Sequence, residues 1–141
     1  MMNNSLWNFS HKIYRKSAIL GRITEIMYNV IYGNSISTKA NIGCGTVFYH
    51  HGLGCVVHEK SVIGSDCRVF GNVTIGCKWS GNLEPGLPPH IGNNVMIGAG
   101  AVILGNINIG DYAIVGANTV VLRDVPPKCT VVGNPARIIE R

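Results

Sequence analysis

The sequence predicts an all-β fold: a solenoid of short parallel strands bent at regular corners, capped by a short helical segment and interrupted by one protruding loop. Three observations predict it. An aliphatic residue recurs every six positions, glycine is abundant while charge is scarce, and the repeat breaks phase at two places. Ile91, Ile97, Ile103, Ile109, Val115 and Val121 are evenly spaced, and Gly92, Gly98, Gly110 and Gly116 follow four of them. An earlier run in another phase holds Val57, Ile63, Val69 and Ile75, with Gly64 and Gly76, and before it come Ile36, Ile42 and Phe48. The fourth residue after each aliphatic is small or β-branched, as in Val95, Ala101, Ile107, Ala113, Thr119 and Val125, and in Ser61, Cys67 and Val73. A period of six fits neither a helix at 3.6 nor a plain strand at 2. It fits strands punctuated by corners, where Gly, Asn and Asp accept unusual dihedrals. The aliphatic and the small residue then point inward, and stacked coils share one core.

The elements follow in chain order. Residues 1–33 are predicted as a helical cap, because Ile13, Ser17, Leu20, Ile23, Met27 and Val30 fall at three- and four-residue steps and Gly33 supplies a stop. The same Lys- and Arg-bearing segment has the composition to lie on a membrane surface, but capping is the preferred reading and membrane association is not expected. Residues 34–141 are predicted as the solenoid. Its first phase break, between Phe48 and Val57, encloses YHHGLGC. Its second separates Ile75 from Ile91 and makes CKWSGNLEPGLPPH (77–90) a loop.

Composition excludes several classes. The chain has 141 residues, with 18 Gly, 12 Lys and Arg, and 7 Asp and Glu, so it is neither a disordered tail nor a charged coiled coil. Its net charge of +5 is scattered, without the basic stripe and stacking aromatics of a nucleic-acid binder. No apolar run approaches the length of a membrane span, and MMNNS is no signal peptide, so a cytoplasmic location is expected. Five cysteines without CxxC spacing read as reduced thiols.

Four histidines, His50, His51, His58 and His90, lie at or near the phase breaks, whereas His11 belongs to the helical segment. A regular coil has no need of histidine there. An imidazole changes charge near neutrality and can take a proton from an attacking hydroxyl. The spacing does not favour a metal site, and none is expected.

The segments HHGLGCVVHEKSVIG (50–64), VTIG (73–76), PHIGNNVMIGAGAVILGNINIG (89–110) and VPPKCTVVGNPARII (125–139) carry a resemblance. Over roughly residues 24–139 the chain resembles the serine O-acetyltransferase family of hexapeptide acyltransferases, and within it the colanic-acid-type and other surface-polysaccharide O-acetyltransferases. The resemblance implies a left-handed parallel β-helix with three hexapeptides per coil. It also implies acetyl-CoA as co-substrate, and a homotrimer with active sites between neighbouring solenoids. A thin prism has much surface per volume, which makes association physically sensible.

Carried over by residue, the resemblance makes His51 the general base, matching the histidine of the DHATG segment of serine acetyltransferases. His50 stands where those enzymes have an Asp that helps hold the amino-acid acceptor. That departure, the PHIG segment, and the lack of a long N-terminal helical domain or a C-terminal tail favour a sugar or surface-polysaccharide hydroxyl as acceptor. Serine is the alternative, and a non-catalytic scaffold a third reading. His90, Glu59 and Trp79 are expected on the acceptor side. Gly76, Ala99, Ala101 and Ala117 are expected along the pantetheine arm, and Lys128 and Arg137 near the coenzyme phosphates.

Overall fold

The computed structural model describes residues 5–79 and 86–139. The six-residue steps become two- and three-residue strands, each the straight side of a triangular coil. The first coil holds β1 (Ser35–Ile36), β2 (Asn41–Ile42) and β3 (Val47–Phe48), and the second β4 (Val56–Val57), β5 (Val62–Ile63) and β6 (Arg68–Val69). The third holds β7 (Thr74–Gly76), β8 (His90–Ile91) and β9 (Met96–Ile97). The fourth holds β10 (Val102–Leu104), β11 (Asn108–Ile109) and β12 (Ile114–Val115). The last turn has β13 (Val120–Val121) and β14 (Thr130–Val132), with an isolated bridge from Ile109 to Val125 between them. β15 (Arg137–Ile139) then folds back antiparallel on β14.

Like sides stack into three parallel sheets, ordered β1-β4-β7-β10-β13, β2-β5-β8-β11, and β3-β6-β9-β12-β14 with β15 at the end. Register keeps the repeat aliphatics above one another. Ile36, Val57, Ile75, Ile103 and Val121 form one inner column, and Phe48, Val69, Ile97, Val115 and Val131 another. All of these are at most 2% exposed, as are Val95, Ala101 and Ala113, so both inward positions of each hexapeptide fill the core. Burying one such side chain contributes roughly 1.5–3 kcal/mol. Glycine serves where corners touch: a Cβ on Gly98 would lie 2.5 Å from the Ala117 nitrogen in the next coil.

The helical segment comprises α1 (Ser5–Lys16) and α2 (Ala18–Tyr32), and α2 ends at Gly33 in the left-handed conformation (φ 60°). α1 closes the solenoid end through Trp7, which is buried and donates from Nε1 to the Ser37 carbonyl (3.4 Å). The His11 ring stacks on Trp7, and its Nδ1 lies 2.6 Å from the Thr38 carbonyl, so that nitrogen carries the proton. Glu25 of α2 accepts from the backbone N–H and the hydroxyl of Thr38. The residues of α2 that face the molecule are Gly21 and Tyr28, both buried. The apolar series that predicts the helices, Leu20, Ile23, Met27 and Val30, faces outward instead. Gly21 packs on α1, where a Cβ would lie 2.4 Å from the Tyr14 Cα, and Tyr28 reaches the coil through its hydroxyl at the His51 carbonyl.

The loop leaves between β7 and β8, within the third coil. Residues 80–85 of it lie outside the described residues. Among the described residues, no helix is long and apolar enough to cross a membrane.

Candidate active site

The chain leaves β3 through a tight turn, Tyr49–Gly52, in which two consecutive non-glycine residues adopt positive φ: His50 (53°) and His51 (58°). Such residues each cost about 1–3 kcal/mol and persist only where their surroundings hold them. Here the hold is visible. The His51 carbonyl accepts from Asn34 Nδ2 at 2.9 Å and from the Tyr28 hydroxyl at 3.4 Å. Leu53 N–H returns to the His50 carbonyl (3.1 Å), and Cys55 N–H to the Gly52 carbonyl (2.8 Å). Gly52 is required beside them, since a Cβ there would lie 2.7 Å from Ile36 Cδ1. Burial pushes the Tyr28 phenol up from its usual range, so it remains a donor to the turn.

The His51 ring lies on the ring of Tyr32, with centroids 4.4 Å apart and planes inclined by 18°. Tyr32 in turn tilts against Tyr28 at 5.1 Å. The last turn of α2 therefore sets the plane of the imidazole, and among the described residues no carboxylate bonds to it. Glu59 and His58, its nearest candidates in sequence, are engaged elsewhere. Glu59 pairs with Lys39 at 2.9 Å in a groove beside α2; the lysine's hydrogen bond holds the carboxyl below its usual range and raises the lysine. His58 Nδ1 accepts from the Lys60 N–H at 3.2 Å.

The turn occupies one edge of the prism, the corner between the third and first sheets. Successive corners are linked along that edge. Asn72 N–H donates to the Leu53 carbonyl (2.9 Å), Gly100 N–H to Gly71 (3.0 Å), and Asn118 N–H to Ala99 (2.8 Å). His51, Gly71, Ala99 and Ala117 thus share an edge, and three coil steps along it cover about 14 Å. Ala99 and Ala117 are exposed there. Gly76 lies on the adjoining first sheet, half-buried, its carbonyl accepting from Gly105 (3.0 Å). Arg137, exposed opposite Val132, stands just past the far end of the edge.

Other expected site residues stand apart from it. Ala101 is wholly buried, its carbonyl accepting from Thr74 and its N–H donating to Gly98. Lys128 is exposed at a different corner, held by an N–H bond to the Asp111 carbonyl (2.9 Å). His90 faces outward on the second sheet, in register with Val62 and Asn108. Trp79 is 65% exposed and flanks a groove with Lys78, Leu87 and Leu104.

Against the turn lies a second groove, about 750 Å³, lined by Val47, Tyr49, His50, Asp66, Arg68, Phe70 and Met96 among others. The Tyr49 and Phe70 rings stack within it at 4.7 Å and 8°. Sequence reasoning missed Tyr28, Tyr32 and Asn34. Their one signal is a pair of tyrosines four apart at a helix end, which reads as ordinary packing.

The family model "Bacterial transferase hexapeptide (six repeats)" matches residues 88–123. The serine acetyltransferase of Synechococcus elongatus is 41% identical over 133 residues, 94% of this chain and 53% of the relative. That of Helicobacter pylori is 36% identical over 136 residues, 96% of this chain and 78% of the relative. Among solved structures, soybean serine acetyltransferase complexed with serine matches with a TM-score of 0.85 at 41% identity, over 95% of this chain and 54% of that one. A serine acetyltransferase in complex with CoA matches with a TM-score of 0.82 at 38% identity, over 95% and 54%. Superposition at that level requires the same sense of winding. The chain spans about half the length of the Synechococcus relative and of both solved structures. These relatives are serine acetyltransferases, which corrects the narrower likeness to colanic-acid-type enzymes. With the repeat, the three stacked sheets and over a third of its residues shared with a relative matched over most of its length, the chain belongs to the serine acetyltransferase family of hexapeptide-repeat proteins.

Proposed function

We propose that the chain is an acetyl-CoA-dependent O-acetyltransferase with His51 as general base and L-serine as acceptor. The observation that carries this is the shared edge: a histidine held at a fixed angle by Tyr32, at the head of a strip of small exposed residues. Relatives solved with CoA and with serine support the two substrates. His51 takes the proton of the acceptor hydroxyl as its oxygen attacks the thioester carbonyl. The tetrahedral intermediate collapses, the C–S bond breaks, and the imidazolium returns the proton to the departing CoA sulfur. Ala99 and Ala117 leave room for the pantetheine arm along the edge, and Arg137 meets its phosphates. The active unit is a homotrimer, in which His90, on another face, serves a neighbouring chain's site.

A second reading, a sugar hydroxyl as acceptor, is favoured by the groove beside His50. His50 replaces the carboxylate that suits an α-ammonium, and the stacked Tyr49 and Phe70 offer an aromatic face beside Asp66 and Arg68, a combination suited to a pyranose. Thiol release from acetyl-CoA, with L-serine in one arm and a panel of sugars and glycans in the other, separates the readings. Turnover with L-serine supports the first, turnover with sugars alone replaces it with the second, and release with neither contradicts both.

A further inference from the structure

The outward series on α2 is longer than the sequence pattern suggests. Ile19, Leu20, Ile23, Ile26, Met27, Val30 and Ile31 are each 50–78% exposed, opposite the buried Gly21 and Tyr28. At about 100° per residue they fill one unbroken arc of the helix, and no charged residue interrupts it. Cations flank its N-terminal end: Lys12, Arg15 and Lys16 on α1, and Arg22 at the edge of the arc, are all exposed. Glu25 is the only acid in the two helices, and it is bound to Thr38.

We infer that α2 is a docking face for an anionic lipid surface. Its aliphatic ridge enters the boundary between headgroups and acyl chains, and Lys12, Arg15, Lys16 and Arg22 lie among the lipid phosphates. The helix lies on the bilayer and does not span it: 15 residues reach about 22 Å, against a hydrocarbon core of about 30 Å. Charge decides against a second copy of the chain as occupant. A second copy packed ridge on ridge offers these cations no free carboxylate, because Glu25, the only acid of its two helices, is bound to Thr38, and Glu59, which shares a groove with Arg22, is paired with Lys39.

The test is co-sedimentation of the full chain with vesicles of phosphatidylcholine containing about one third phosphatidylglycerol, against pure phosphatidylcholine. Binding is expected on the anionic vesicles alone, to weaken with added salt, and to fall about tenfold in Arg15→Glu/Lys16→Glu. Ile19→Ser/Val30→Ser is expected to lose binding as well; should that pair lower the melting temperature, the charge pair decides. Equal sedimentation on both vesicle types, or wild-type binding by the charge pair, overturns the proposal. So does light scattering that shows Ile19→Ser/Val30→Ser dissociating a wild-type oligomer, since a second copy would then cover the ridge.

Discussion

The imidazole of His51 rests on the phenol ring of Tyr32, 4.4 Å between centroids and 18° between planes, so a helix outside the solenoid fixes the orientation of a residue within it. An aromatic contact of this kind is worth about 0.5–1.5 kcal/mol. Tyr32→Ala is therefore expected to lower kcat about three- to tenfold with little change in the KM for acetyl-CoA. Tyr32→Phe keeps the ring and is expected to keep the rate; steady-state kinetics of the pair check this.

Asn34 supports the same turn through the His51 carbonyl. Asn34→Ala leaves that carbonyl to the longer Tyr28 bond alone, while His50 and His51 keep their positive φ. A loss of about 1 kcal/mol in urea unfolding is expected, together with reduced turnover, because the turn relaxes toward ordinary dihedrals. Unchanged stability would show that the turn holds itself.

Much of this architecture is legible in the sequence. The columns headed by Ile36 and Phe48 are the six-residue series read in three dimensions, because spacing alone decides which residues stack. The two phase breaks mark the His51 turn and the loop. The helices are legible as helices, but not which way they face. Leu20, Ile23, Met27 and Val30 have the spacing of a buried stripe, yet the coil is met by Tyr28 and Tyr32 while Gly21 packs on α1, and none of the three carries a periodic signal. The His51 site joins two segments, the end of α2 through Asn34 and the turn at 49–52, so nothing local to HHG reveals Tyr32 or Asn34.

The core series makes a plain stability prediction. Ile97→Ala empties a wholly buried position between Val69 and Val115 and is expected to cost about 2–5 kcal/mol. Gly98→Ala, one residue on, drives a Cβ to 2.5 Å from the Ala117 nitrogen and forces two coils apart. Both should show as lowered denaturation midpoints, and a wild-type midpoint for Gly98→Ala would contradict the observed coil contact.

The cysteines differ in reactivity. Burial pushes the Cys55 and Cys67 thiols up, which lowers their thiolate fraction at any given pH, and each Sγ lies near a backbone carbonyl, of Phe70 and of Gly92. Cys44 is exposed. Titration of the native protein with a disulfide reagent is expected to modify Cys44 first and to reach Cys55 and Cys67 only on unfolding. Rapid modification of Cys67 would contradict its burial in the core.

The role of His51 as the base of an acetyl transfer is tested by thiol release from acetyl-CoA and L-serine in wild type and His51→Ala, corrected for the protein's own thiols. A fall in kcat of about 10²–10⁴ is expected in the variant, with its free energy of unfolding kept within about 1 kcal/mol of wild type. A folded His51→Ala that turns over within a few-fold of wild type would contradict it.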